Sequence, residues 1–234
     1  TFNDLLNLVD STNPYQLSKG NFKSIRWQVL PVELSQKFNT TRPYGWNDQA
    51  LGFSKGYQAQ LRTGIYAQWK FLHAQYQPEL VHYASGAFPK KTKLLPGQSF
   101  IGLRAAGLSF GISSENLWWG PGRYSSLIMS NNARGFEHVR LNTTRPINIG
   151  IGKIEFALVL GRLTRDTAEG FENSNLQKRA FDYSQPSTRQ YNGLNIVFQP
   201  AFTKNVFFGV TRAFQNYEIT KANASFSQNY LPVL

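Results

Sequence analysis

Residues able to do chemistry concentrate in two stretches. One is Arg42-Pro43-Tyr44-Gly45-Trp46-Asn47-Asp48. The other runs from Glu115 through Trp118-Trp119-Gly120-Pro121-Gly122-Arg123-Tyr124 to Asn131-Asn132-Ala133-Arg134. Gly-Pro-Gly stops an extended apolar segment in a turn, and little hydrophobic pattern follows to bury the polar residues. Flat aromatic faces stack on sugar rings, while guanidinium, amide and carboxylate groups hydrogen-bond hydroxyls and acids in fixed geometry. The candidate contacts are Arg42, Tyr44, Trp46, Asp48, Trp118, Trp119, Arg123, Tyr124, Asn131, Asn132 and Arg134, with Trp46 and Trp119 foremost. The competing reading is that the same residues pack loop against loop and seal a mouth. A tryptophan pair also suits a membrane interface.

Catalysis finds less material. His73, His82 and His138 have no metal-ligand spacing to another histidine, and the chain has no cysteine, which removes disulfides and thiolate metal sites. The 13 acidic residues are scattered; Asp48 and Glu115, both on loops, are the least implausible glycosidase pair. No phosphate-binding loop is present. The expectation is a binding protein with no catalytic residues, no metal and no cofactor.

These loops must be held by the segments between them, and those alternate with period two. Tyr57, Ala59, Leu61, Thr63, Ile65, Ala67 and Trp69 form one face; Gln58, Gln60, Arg62, Gly64, Tyr66 and Gln68 form the other. At ~3.3 Å per residue this strand is roughly 43 Å long, enough to cross an outer membrane's ~25 Å apolar band at a tilt, with aromatic residues at both ends. Similar segments fall near 22–34, 72–84, 98–105, 108–118, 136–146, 153–164, 190–200 and 206–217. Connections alternate between long (35–56, 85–97, 119–135, 165–189, and after 217) and short (70–71, 106–107, 147–152, 201–205). That pattern predicts an all-β, transmembrane, up-and-down antiparallel β-barrel of about nine strands over 15–234, with short turns periplasmic and long loops outside. A soluble barrel or propeller shares the alternation, but strand length, aromatic ends and unequal loops count against it. Residues 1–14 read as a separate periplasmic segment: Phe2, Leu5, Leu6 and Val9 share a helical face, and Asn13-Pro14 ends it.

Composition agrees. Aromatic residues make up 15% of the chain and charged residues only 16%, an unusual balance for a soluble globule. No apolar run reaches transmembrane-helix length. The net charge of +12 favours an acidic partner. Lys90, Lys91 and Lys93 lie together, and strand parity turns Arg26, Arg62, Arg104 and Arg140 inward, toward acids such as Glu79 and Glu155. Nucleic acid would suit the charge, but no RNA-binding signature appears and the topology argues against it.

Glu-Asn-Leu-Trp-Trp-Gly-Pro-Gly at 115–122 and Ser-Ser-Leu-Ile-Met-Ser-Asn-Asn-Ala at 125–133 resemble the signature of the Wzi capsule-assembly family of outer-membrane proteins. Arg42–Asp48, Leu141–Pro146, Phe207–Tyr217 and Asn229–Pro232 fit the same family in order. The resemblance implies a barrel of roughly twice this many strands, with helical material at its N-terminus and the remaining strands outside this sequence. It also implies lectin-like attachment of capsular polysaccharide in the outer membrane of a Gram-negative-type bacterium. The expected partners are an acidic capsular polysaccharide, outer-membrane lipid and other outer-membrane proteins. A porin and a structural barrel in a larger outer-membrane machine stand as alternatives.

Overall fold

The computed structural model describes residues 25–40, 45–52, 55–84, 91–120, 122, 124–126, 128–164, 188–203 and 205–217. The expected helix at 1–12 and the 1–14 segment lie outside them, as do Arg42, Tyr44, Lys90 and Arg123. The described residues contain no helix. They form one antiparallel sheet of twelve strands. In chain order these are β1 (Arg26–Asn39), β2 (Gly56–Trp69), β3 (Leu72–Tyr76), β4 (Glu79–Ala84), β5 (Lys91–Leu95), β6 (Phe100–Ala105), β7 (Leu108–Ser113), β8 (His138–Thr143), β9 (Ile147–Asn148), β10 (Gly152–Thr164), β11 (Thr188–Pro200) and β12 (Phe208–Tyr217).

The excess over nine has three sources. The expected 72–84 crossing is cut at Gln77-Pro78 into β3 and β4, while β5 occupies 91–95 of the expected long connection 85–97 and β9 occupies 147–148 of the expected short connection 147–152. β5 continues the line of β6 across a break over Pro96–Ser99, and β9 that of β8 across a break before Ile147. Proline cannot donate to a ladder, so a strand that carries it is cut there. Each crossing pairs with the next in the chain, from β1 through β12. The sheet is not closed among the described residues; β1 and β12 are its outer strands. Short turns join crossings at one end. Ala106 and Gly107, with φ of 51° and 85°, form the two-residue turn between β6 and β7, whose twist matches that of the strands. Long connections lie at the other end.

The two faces differ in the sense that the alternation predicts. Gln58, Gln60 and Tyr66 on β2 are buried, while Tyr57, Leu61, Ile65 and Trp69 on its other face are exposed. The pattern continues across the sheet: Trp27, Val29, Leu80, Ile101, Leu103, Phe110 and Ile112 are exposed, whereas His73, Gln75, Glu79, Ser109, Ser113 and His138 are buried. One face is therefore polar and enclosed, and the other apolar and open. A water-soluble sheet buries the apolar face instead.

The interruptions at Gln77-Pro78 and Pro96–Ser99 align with each other and with the upper ends of β7 and β8. Gly64 on β2 lies opposite Tyr76 and Gln77, Gly97 lies against Gln77 and Glu79, and Gly135 lies against Ser114 and Glu115, each so close that a Cβ would meet backbone. Along this line single backbone bonds and side-chain bonds replace the regular ladder. The Gln98 N–H donates to the Gln77 carbonyl (3.0 Å), and the Ser114 N–H to the Ser99 carbonyl (2.8 Å). Gln98 Nε2 donates to Asn116 Oδ1 (2.8 Å), and the Asn116 N–H returns a bond to Gln98 Oε1 (2.9 Å). The backbone groups released by the breaks thus keep partners.

Candidate functional site

The 45–52 segment folds inward over β1, β2 and β4. Lys37 Nζ on β1 donates to Asp48 Oδ2 (2.7 Å) and to the Gly52 carbonyl (3.3 Å). Gln58 clamps Gly52 twice, donating from Nε2 to its carbonyl (3.0 Å) and accepting its N–H at Oε1 (2.8 Å). The Tyr83 hydroxyl donates to the Ala50 carbonyl (2.7 Å), and Ala50 and Leu51 pack on Val81. The buried glutamine on the polar face of β2 is thus a fastening point for the loop.

The same loop is fixed to the second aromatic stretch. Trp46 Nε1 and Asn47 Nδ2 both donate to the Tyr124 carbonyl, each at 2.9 Å. The Asn47 N–H donates to Asn132 Oδ1 (2.8 Å), and the Gln49 N–H to the Asn131 carbonyl (2.8 Å). The structure therefore brings Trp46, Asp48, Tyr124, Asn131 and Asn132 onto one rim. The rings of Trp46 and Tyr124 stay open, 53% and 68% exposed. Beneath them lies a cavity of about 410 Å³, lined by Lys37, Trp46, Asn47, Asp48, Gln60 and Arg62 among others. Asn47 Oδ1 is buried there without a hydrogen-bond partner among the described residues. A buried acceptor left unpaired costs free energy that a ligand hydroxyl would recover.

The other candidates have different surroundings. Trp119 is 5% exposed and packs on Val159 and Tyr191, with Leu117, Met129 and Phe136 around it. Its indole fills the space above Gly193, where a Cβ would meet the ring. The Trp119 N–H donates to the Met129 carbonyl (3.2 Å), and the Ser126 hydroxyl bonds the Trp119 carbonyl. Trp118 is half-buried and donates from Nε1 to the Gly122 carbonyl (2.9 Å). Arg134 lies elsewhere, at a second cavity between β5 and β10.

Carboxylates on this side are held by cations. Arg62 pairs with Glu33 and lies 3.5 Å from Glu79; Arg140 pairs with Glu115 and stacks over Phe100 at 4.9 Å. Asp48 and Glu115 thus belong to separate ion pairs, one with Lys37 and the other with Arg140. Composition gave no reason to single out Lys37, Gln49, Gln98 or Asn116, because their roles come from contacts distant in sequence. Gly193 did carry a signal: an isolated glycine inside a strand marks a close approach.

The family model for the capsule assembly protein Wzi matches residues 35–216, from the first strand to the last. No curated protein and no solved structure matches the chain. The family match takes in the rim, both aromatic stretches and all but the start of the sheet, and the chain belongs to the Wzi capsule assembly family.

Proposed function

We propose that the sheet is wall to an outer-membrane β-barrel whose outer rim binds an acidic capsular polysaccharide during capsule assembly. The inverted faces support the membrane reading. A sheet with Trp27, Leu61, Ile65, Ile101 and Phe110 exposed and Gln58, Gln60 and Glu79 buried is at rest in lipid, where apolar side chains face outward and the enclosed face is polar. Strands beyond those described here close the barrel, since an open edge in hydrocarbon is costly.

The observation that carries the binding reading is the pair of exposed rings, Trp46 and Tyr124, locked together from two loops above a cavity that holds Lys37, Asp48 and Arg62. Rings held in place present stacking faces at little entropic cost, and the cations suit a sugar acid. The reaction is attachment, with no bond made or broken. Asp48 and Glu115 serve as partners of Lys37 and Arg140. The inward fold of 45–52 over β1, β2 and β4 favours this over an open transport pore.

The test is binding of purified capsular polymer to the protein in detergent, together with retention of polymer on cells. A Trp46→Ala/Tyr124→Ala variant that folds is expected to bind at least about tenfold more weakly, two stacking contacts of ~1 kcal/mol each having been lost. Unchanged binding and retention would remove the rim from the site.

A further inference from the structure

The sheet has a gap in its outer half. β7 ends at Ser113 and β8 begins at His138, whereas β10 continues three residues past the Gly161–His138 pairing, to Thr164 opposite Thr188. On the other side, β5 pairs with β4 alone among the described strands. Between β5 and the end of β10 the wall therefore lacks the upper parts of two strands, those that would continue β7 and β8, and the 114–137 segment bridges the gap. That segment is tied at both margins: the Ser114 hydroxyl bonds the Gly97 carbonyl (2.8 Å), and the Arg162 N–H donates to the Glu137 carbonyl (3.2 Å).

A cavity of about 410 Å³ lies in this gap, within the ~300–1,000 Å³ range of small-ligand sites. Its lining includes Glu79, Gly97, Arg134, Arg162, Thr164 and Thr188. Glu79 belongs to the enclosed face, facing Arg62 across the β2–β4 ladder. Arg162 has the opposite parity, alternating with the buried Val159 and Gly161 row that receives Trp119 and Phe136. Residues of both faces thus line one cavity. On β10 the outward row is Phe156, Leu158 and Leu160, and then Arg162 and Thr164. The change from leucine to arginine puts the gap at the upper border of the apolar band, because a guanidinium at mid-depth in lipid is expensive.

We propose that this gap is a side window of the glycan site, taking one acidic sugar unit of a polymer that lies along the cell surface. The inference rests on the polysaccharide reading above. Arg134 and Arg162 hold the sugar carboxylate, and Thr164 and Thr188 hold its hydroxyls. Each guanidinium has five donors in a fork, so one engaged with a protein neighbour keeps others for a ligand carboxylate. The rim and the window would then grip neighbouring stretches of one chain, and gripping at two linked points raises affinity without tighter single contacts.

The experiment uses the absence of native cysteine. Thr164→Cys is folded in detergent and modified afterwards with a maleimide carrying a bulky polyethylene glycol chain. The probe is capsular polymer purified from the organism that makes the protein, used as such and with its carboxyls reduced to alcohols. Modification is expected to weaken binding of the acidic polymer at least about tenfold relative to the same Thr164→Cys protein before modification. Arg134→Gln/Arg162→Gln is expected to weaken the acidic polymer similarly and leave the carboxyl-reduced polymer unchanged. Equal binding before and after modification, or equal loss of both polymers in the arginine variant, overturns the window alone. No binding of either polymer by wild type overturns the polysaccharide reading and the window with it.

Discussion

The indole N–H of Trp46 donates to the main-chain carbonyl of Tyr124 at 2.9 Å, across 78 positions of the chain. The bond fixes a ring on the loop after β1 to the backbone of the loop after β7. Asn47 Nδ2 shares the same carbonyl, so two donors converge on one acceptor and tie the two loops together. This makes the rim a single surface built from both aromatic stretches.

Replacing Trp46 by Phe separates position from stacking. The ring remains and the N–H is lost, so the loop keeps its Asn47 bonds but loses one worth ~1 kcal/mol. Binding of capsular polymer is expected to fall about fivefold in Trp46→Phe, less than in Trp46→Ala. A titration of purified polymer against both variants checks the order; equal losses would make the N–H the whole contribution.

The assignment of faces makes a sharper claim. Ile65 is 51% exposed on the apolar face of β2, and Ser35 lies exposed on the opposite face of β1. Ile65→Arg should destabilise the barrel by about 2–4 kcal/mol in a bilayer, whereas Ser35→Arg, facing the interior water, should change stability by under about 0.5 kcal/mol. Unfolding of both variants from lipid vesicles by denaturant measures this. Comparable losses would reverse the faces.

Orientation is testable on intact cells. Ser125 is exposed on the long 114–137 connection, and Ile149 is exposed in the short turn between β9 and β10. A membrane-impermeant thiol reagent is expected to label Ser125→Cys at once and Ile149→Cys only after the outer membrane is opened. Labelling in the opposite order would invert the topology.

Trp119 and Gly193 should behave as a matched pair. A methyl group at Gly193 would run into the indole, so Gly193→Ala is expected to cost ~1–3 kcal/mol through overpacking. Adding Trp119→Phe makes room and should return part of that loss, although Trp119→Phe alone leaves a cavity and destabilises. A double-mutant cycle on unfolding free energies measures the coupling, and simple additivity would mean that the ring and the glycine do not share this space.

Much of this architecture is local in origin and was therefore legible in the sequence. Side chains on a strand alternate whatever the partner, so Gln58, Gln60 and Tyr66 declared their common face before any pairing was known. The alternation of short and long connections likewise stood in the spacing, and the family signature at 115–133 was a contiguous string. Tertiary structure decided what depends on distant residues. Pro78 and Pro96 hinted at breaks, but only the apposition of Gly64, Gly97 and Gly135 with their neighbours turned these into one line across the sheet. Trp46 and Trp119 looked alike as tryptophans in aromatic loops. One stayed open because its loop is tethered over Lys37 and Gln58, and the other was buried because Gly193 left a space of its shape. Composition supplies both rings. Which of them meets solvent depends on the backbone opposite, because a flat indole buries itself wherever a residue without a side chain lets it approach.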